Sequence, residues 1–126
     1  MLNAGVAQIL LLGSVDAQGN VQGVTAVQAS IPVDRSTYIY NTIIIRGNGT
    51  LSGGTILIEE ADWMPSELPY SGGWSALQTV AANTLTGGNQ VAIHFAASAY
   101  AYLRARISAP IAGGGSVVVF LRSSGS

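Results

Sequence analysis

The sequence predicts an all-β chain: an antiparallel β-sandwich of about eight strands, jelly-roll-like, with an immunoglobulin-like sandwich as the alternative connection. Three observations predict it. In residues 99–107, Ala99, Ala101, Leu103, Ala105 and Ile107 alternate with Tyr100, Tyr102, Arg104 and Arg106, the period of a strand with one buried and one exposed face. Turn-forming clusters of Gly, Pro, Asn and Asp interrupt the chain at roughly 8–12-residue intervals. The apolar runs between them are short and β-branched, which suits a pleated surface better than a helix.

Taken in order, Ala7–Val15 reads as a short apolar strand or part of an N-terminal arm (residues 1–12). Asp16-Ala-Gln-Gly-Asn20 has tight-turn residues, and Val21–Ile31 returns as a strand. Pro32-Val-Asp-Arg-Ser36 breaks the pattern. Thr37–Arg46 is the strongest strand of the first half, with Tyr38, Tyr40, Thr42 and Ile44 on one side and Ile39, Asn41, Ile43 and Ile45 on the other. Thr55–Glu60, Trp74–Val80 and Gln90–Phe95 follow, with Asp62–Gly73 as the longest loop; only Ser75–Asn83 offers any helical pattern, short and uncapped. The Gly-rich break at 113–115 and the Val-rich run after it predict a hairpin with the 99–107 strand.

Leu51-Ser-Gly-Gly54, Leu85-Thr-Gly-Gly88 and Ile111-Ala-Gly-Gly114 form an unevenly spaced echo. Paired glycines admit positive φ at a hairpin or bulge, the preceding Leu or Ile is expected to anchor the loop to the core, and the echo predicts antiparallel hairpins packed into two sheets. Convergence on good turn chemistry and duplication explain the echo equally well. The spacing is too irregular for a solenoid.

At 126 residues the length predicts a single domain, 1–126. Apolar residues make up 48% but charged residues only 9%, against roughly 25% in ordinary soluble chains. There is no lysine; the cations are Arg35, Arg46, Arg104, Arg106 and Arg122. Such a surface fits either a Ser/Thr-rich secreted domain or, the preferred reading, a chain covered by its own copies or by a larger assembly. A net charge of −1 without a basic patch argues against nucleic acid. No apolar run, Ile9–Leu12 and Val117–Leu121 included, is long enough to span a bilayer, and no signal-like segment opens the chain. The expectation is therefore no membrane partner and synthesis in the cytoplasm without processing.

No enzyme motif is present, and no cofactor is expected. His94 is the single histidine and alternates outward with Gln90 and Ala92. Without cysteine, the usual zinc and iron ligand sets cannot be assembled. Glu59, Glu60 and Asp62, with Glu67, are the best candidates for a hard cation, but they lack the regular calcium loop. A solvated strand end, or pairing with Arg104 and Arg106 across sheets or subunits, accounts for them more simply. Glu59 and Glu60 should face opposite sides of one strand, which disfavours a paired-carboxylate glycosidase site. Asn48-Gly-Thr50 matches a glycosylation sequon and reads equally as a turn.

Two groups are candidates for contact with partners. Tyr100, Tyr102, Arg104 and Arg106 form a row of interface-enriched types, or a ladder paired within their own sheet. Trp63, Tyr70 and Trp74 flank the long loop, where they would stack on sugars, anchor a protein, or cap the core.

With Thr50-Leu-Ser-Gly-Gly-Thr-Ile-Leu-Ile58, Leu85-Thr-Gly-Gly88 and residues 100–119 in view, the chain resembles small virion proteins of tailed bacteriophages. These are lysine-poor, cysteine-free β-sandwiches that decorate capsids or serve as minor head and tail components. The resemblance covers most of 38–122 and implies a non-enzymatic capsid decoration or cement protein located in the virion. It further implies a homo-oligomer, a trimer for instance, bound to a major capsid protein or another virion protein, with residues 1–12 reaching onto a neighbour. A carbohydrate- or receptor-binding module of a tail or fibre, using Trp63, Tyr70 and Trp74, is the alternative.

Overall fold

The computed structural model describes residues 7–34, 40–61, 74–96 and 102–124. Among these, the strands in chain order are β1 (Ala7–Leu12), β2 (Ser14–Val15), β3 (Val21–Gln22), β4 (Gln28–Ala29), β5 (Val33–Asp34), β6 (Tyr40–Asn48), β7 (Gly53–Ala61), β8 (Ser75–Ala81), β9 (Gln90–Ala96), β10 (Tyr102–Ala112) and β11 (Ser116–Ser124). A short 3₁₀ segment, Ala82–Gly88, joins β8 to β9. One sheet has the order β1-β11-β6-β9, and the other the order β4-β10-β7-β8 with β5 also on β10.

The predicted all-β sandwich is therefore what forms, and the connection resolves in favour of the jelly roll. Set aside the small β2–β3 hairpin and count β4 and β5 as one interrupted strand, and eight strands remain. The first then pairs with the last (β1 with β11), the second with the seventh (β4/β5 with β10), the third with the sixth (β6 with β9) and the fourth with the fifth (β7 with β8), all antiparallel. That is a long ribbon of nested strand pairs. The β11–β6 and β10–β7 ladders roll it into two sheets.

The period-2 pattern of the sequence decides what lies between the sheets. Ile43 and Ile45 from β6, Val117, Val119 and Leu121 from β11, Ile56 and Ile58 from β7, and Leu103, Ala105 and Ile107 from β10 are all essentially solvent-free. Burying each of the larger aliphatic side chains contributes on the order of 1.5–3 kcal/mol. Asn41, assigned to that same side of its strand, is also buried and accepts a 2.7 Å hydrogen bond on Oδ1 from Ser123 Oγ. Ser30 bridges the gap between β4 and β5: its N–H donates to Ala105 O and its Oγ accepts from Ala105 N–H. The 16–20 turn forms as expected, with Asp16 Oδ1 accepting from the backbone N–H of Gln18 and Asn20.

Two expectations are overturned. Val21–Ile31 is not one strand but two short ones in different sheets, β3 on β2 and β4 on β10. The strands on either side of 113–115 are not a hairpin, because β10 and β11 lie in different sheets. Alternation reports which face of a strand is buried; it carries no information about which neighbour bonds its edge. All three glycine echoes turn out to be corners where the chain crosses between sheets: β6 to β7, β8 to β9, and β10 to β11. They sit together. Ser52 N–H donates to Ala112 O, Gly115 N–H to Thr50 O, and Gly87 N–H to Gly49 O. The expected anchors Leu51, Leu85 and Ile111 are buried. At Gly113 (φ +110°), a Cβ would lie 2.7 Å from Ser52 N, so the corner closes only because that residue has none.

Candidate functional site

The register of β10 on β7 builds the site. Tyr102 lies opposite Ala61, Arg104 opposite Glu59 and Arg106 opposite Leu57, all on the outer face of the five-stranded sheet. Cross-strand neighbours on one face stand close enough for side chains to meet, and these do. Arg104 Nε donates to Glu59 Oε1 at 2.8 Å; Arg106 Nε reaches the same oxygen at 3.1 Å and its Nη2 reaches Oε2 at 3.0 Å. The Glu59 side chain is only 6% exposed, against 22% for Arg104 and 34% for Arg106.

Burial pushes the Glu59 carboxyl up, but the hydrogen bonds and charges of Arg106 and Arg104 outweigh it and hold the group below the ordinary glutamate range. The bond to Glu59 in turn raises Arg106. Held ionised in this way, Glu59 is a fixed anion at neutral pH and a poor proton donor.

Two of the sequence's candidate groups converge here. The Arg104 guanidinium stacks 4.3 Å from the ring centroid of Trp74, and Trp74 packs against buried Ala61 and Tyr102. Trp74 thus joins the arginine row on one patch. Tyr100, Trp63 and Tyr70 lie outside the described residues, as do Asp62 and Glu67. Glu59 and Glu60 do face opposite sides of β7, since Glu60 pairs with the inward-facing Leu103. Among the described residues no cluster of three or more His, Asp or Glu side chains is placed to hold a metal.

The outer face of the four-stranded sheet is different in kind. The ladders align Ala92, Ile44, Phe120 and Leu10 in one apolar row across all four strands. Beside it runs a polar row, His94, Thr42, Arg122 and Gln8. His94 is exposed as expected, and its Nδ1 lies 2.9 Å from Thr42 Oγ1. A hollow of about 370 Å³ opens between the two rows near the 59%-exposed Tyr40. On the other side of the apolar row, the Arg46 guanidinium lies 5.8 Å from the Phe120 ring centroid. Neither Arg46 nor Arg122 forms an ion pair with a described residue. Reading the strands singly missed this face. Ile44 and Phe120 become neighbours only once β11 is known to pair with β6, not with β10.

No protein-family model matches the chain, and no curated protein matches it by sequence. Among solved structures the fold is similar to that of the SPBc2 prophage-derived protein YomS, with 8% identity and a TM-score of 0.58 over 94% of this chain and 93% of that one. Other matches are more distant. One is to VP2 of the infectious bursal disease virus subviral particle, with 13% identity and a TM-score of 0.42 over 95% of this chain and 32% of that one. Another is to a family 11 carbohydrate-binding module from Clostridium thermocellum, with 12% identity and a TM-score of 0.38 over 96% and 83% of the respective chains. The likeness to YomS bears on the fold alone, an all-β sandwich over nearly the whole chain.

Proposed function

We propose that this chain is a non-enzymatic structural protein of a virion, of the kind that decorates or cements a phage capsid through protein–protein contacts. The observation that carries the reading is the outer face of the four-stranded sheet. It presents the apolar row Ala92–Ile44–Phe120–Leu10, flanked by Arg46 and Arg122 without described carboxylate partners. An apolar centre with arginines at its margin is the composition of a protein-binding surface. The low charge of the whole chain, at 9%, and the exposed Val15, Val27 and Ile31 point the same way. The end-to-end similarity of fold to a prophage-derived protein agrees with a phage origin.

The alternative, a glycan-binding module, finds less support at Trp74, whose ring is already stacked by Arg104. The deciding experiment is co-sedimentation of the purified protein with capsids of the element that encodes it. Wild type is expected to pellet with the shells, and Phe120→Ser with Ile44→Ser to remain in the supernatant. A folded wild type that stays free, or that answers to a glycan array instead, overturns the reading.

A further inference from the structure

The four sheet edges are not equally guarded. On β1 the ladder slips at Leu10/Leu12, leaving Leu11 as an extra residue. β4 and β5 are two residues each, separated by a segment that contains Pro32. On β8 the ladder slips at Ile58/Glu59. Among the described edge strands only β9 runs its full seven residues in unbroken register, from Gln90 opposite Arg46 to Ala96 opposite Tyr40. Its sequence, Gln-Val-Ala-Ile-His-Phe-Ala, contains no proline, glycine, lysine, arginine or carboxylate. Bulges, prolines and charges are the devices that stop a sheet edge from recruiting another strand, and β9 has none of them.

The hydrogen-bond phase of that edge follows from one contact. Gly47 N–H donates to Asn89 O at 3.0 Å, so Gly47 and Asn89 form a bonded pair. Bonded and non-bonded pairs alternate along an antiparallel ladder. Val91, Ile93 and Phe95 therefore bond inward to β6, while Gln90, Ala92, His94 and Ala96 direct their N–H and C=O groups outward. The mutual bonds between Val117 and Val24, on the far side of β11, fit the same phase.

We propose that two copies of this chain join through β9, antiparallel, about a two-fold axis at Ile93, fusing their four-stranded sheets into one. A second copy fits because the outward-bonding residues fall in phase with themselves under that axis. Gln90 meets Ala96 of the second copy and Ala92 meets its His94, with no like charges opposed. The contact is isologous and closes at two copies. Under that axis the apolar row Leu10–Phe120–Ile44–Ala92 of each copy meets the polar row His94–Thr42–Arg122–Gln8 of the other at the seam. The inference stands on the edge geometry alone and does not require a capsid. It differs from self-association through the Tyr102–Arg106 row.

The test is light scattering and concentration-dependent amide exchange on the purified chain. At about 100 µM, wild type is expected at twice the chain mass, and Ala92→Lys/His94→Lys at the monomer mass with an unchanged circular dichroism spectrum. The lysines would set like charges against each other across the seam. Amides of Gln90, Ala92, His94 and Ala96 should exchange at least about tenfold more slowly in the dimer than on dilution. A monomeric wild type, a trimer, a dimer that survives the double variant, or edge amides indifferent to concentration each overturn the proposal. If the double variant does not fold, the wild-type exchange data decide alone.

Discussion

At the scale of single residues, Glu59 is the group whose surroundings most change what its sequence position suggests. In the chain it is one of a run of acids at a strand end; in the fold it is buried beneath two arginines. Its folded pKa lies below its unfolded one, so its stabilising contribution is complete above the ordinary glutamate value of 4.5 and is lost as pH falls through the folded value. Glu59→Gln is therefore expected to lower stability at pH 7 by about 1–3 kcal/mol, and the gap to wild type should close as the solution is acidified below about pH 4. Thermal melts across that range check it. Replacing Arg104 and Arg106 together should cost at least as much as Glu59→Gln at pH 7, because it strands the carboxylate; adding Glu59→Gln to that pair should recover part of the loss. The alternation of Tyr102, Arg104 and Arg106 with Leu103 and Ala105 was legible from sequence, and so was pairing between these arginines and the acidic run. That the pairing lies within one sheet, and that Trp74 joins it, depends on register, which no single strand encodes.

At the scale of elements, the instructive failure is the hairpin expected across 113–115. The turn chemistry was read correctly and its geometry was not, since glycines serve a sheet-crossing corner as readily as a two-stranded turn. The corners make a graded prediction. Gly114 (φ +94°) has open space where a Cβ would sit, whereas at Gly113 (φ +110°) the same atom meets the Thr50–Ser52 backbone. Gly114→Ala should cost about 1–2 kcal/mol, the conformational penalty alone. Gly113→Ala should cost about 3 kcal/mol or more, because steric overlap adds to it. Chemical denaturation of the two variants measures the difference; equal losses would show that the corner yields more readily than its contacts suggest. The β4–β5 region was the least legible stretch. It has no alternation of its own and is held by Ser30 and by pairing with β10.

At the scale of the whole molecule, the nested pairing sets the folding problem. Apart from the small β2–β3 hairpin and the β7–β8 pair, every ladder joins strands well separated along the chain, and β1 pairs with β11. Loop closure must precede nearly every favourable contact, so refolding is expected on the order of milliseconds to seconds, far slower than a helical bundle of this length. Stopped-flow fluorescence of Trp63 and Trp74 follows it. Substitutions in the β7–β8 pair, the most local ladder within the two large sheets, are the ones expected to slow folding in proportion to their effect on stability.

The same nesting fixes how the protein responds to a load. Ala7 lies beside Ser123, so tension applied at the two ends of the described chain enters at one point of the β1–β11 ladder. The bonds of that ladder run across the strands, and a pull from one end breaks them in succession and not together. Force spectroscopy through these positions is expected to show β1 peeling away at low force, whereas a pull through Asn48 and Ala96, at opposite ends of β6–β9, should meet the sheet in shear. If the protein does brace a shell, a load entering at Ala7 and Ser123 opens the β1–β11 ladder like a zip, whereas one entering along β6 and β9 is resisted by the whole ladder at once.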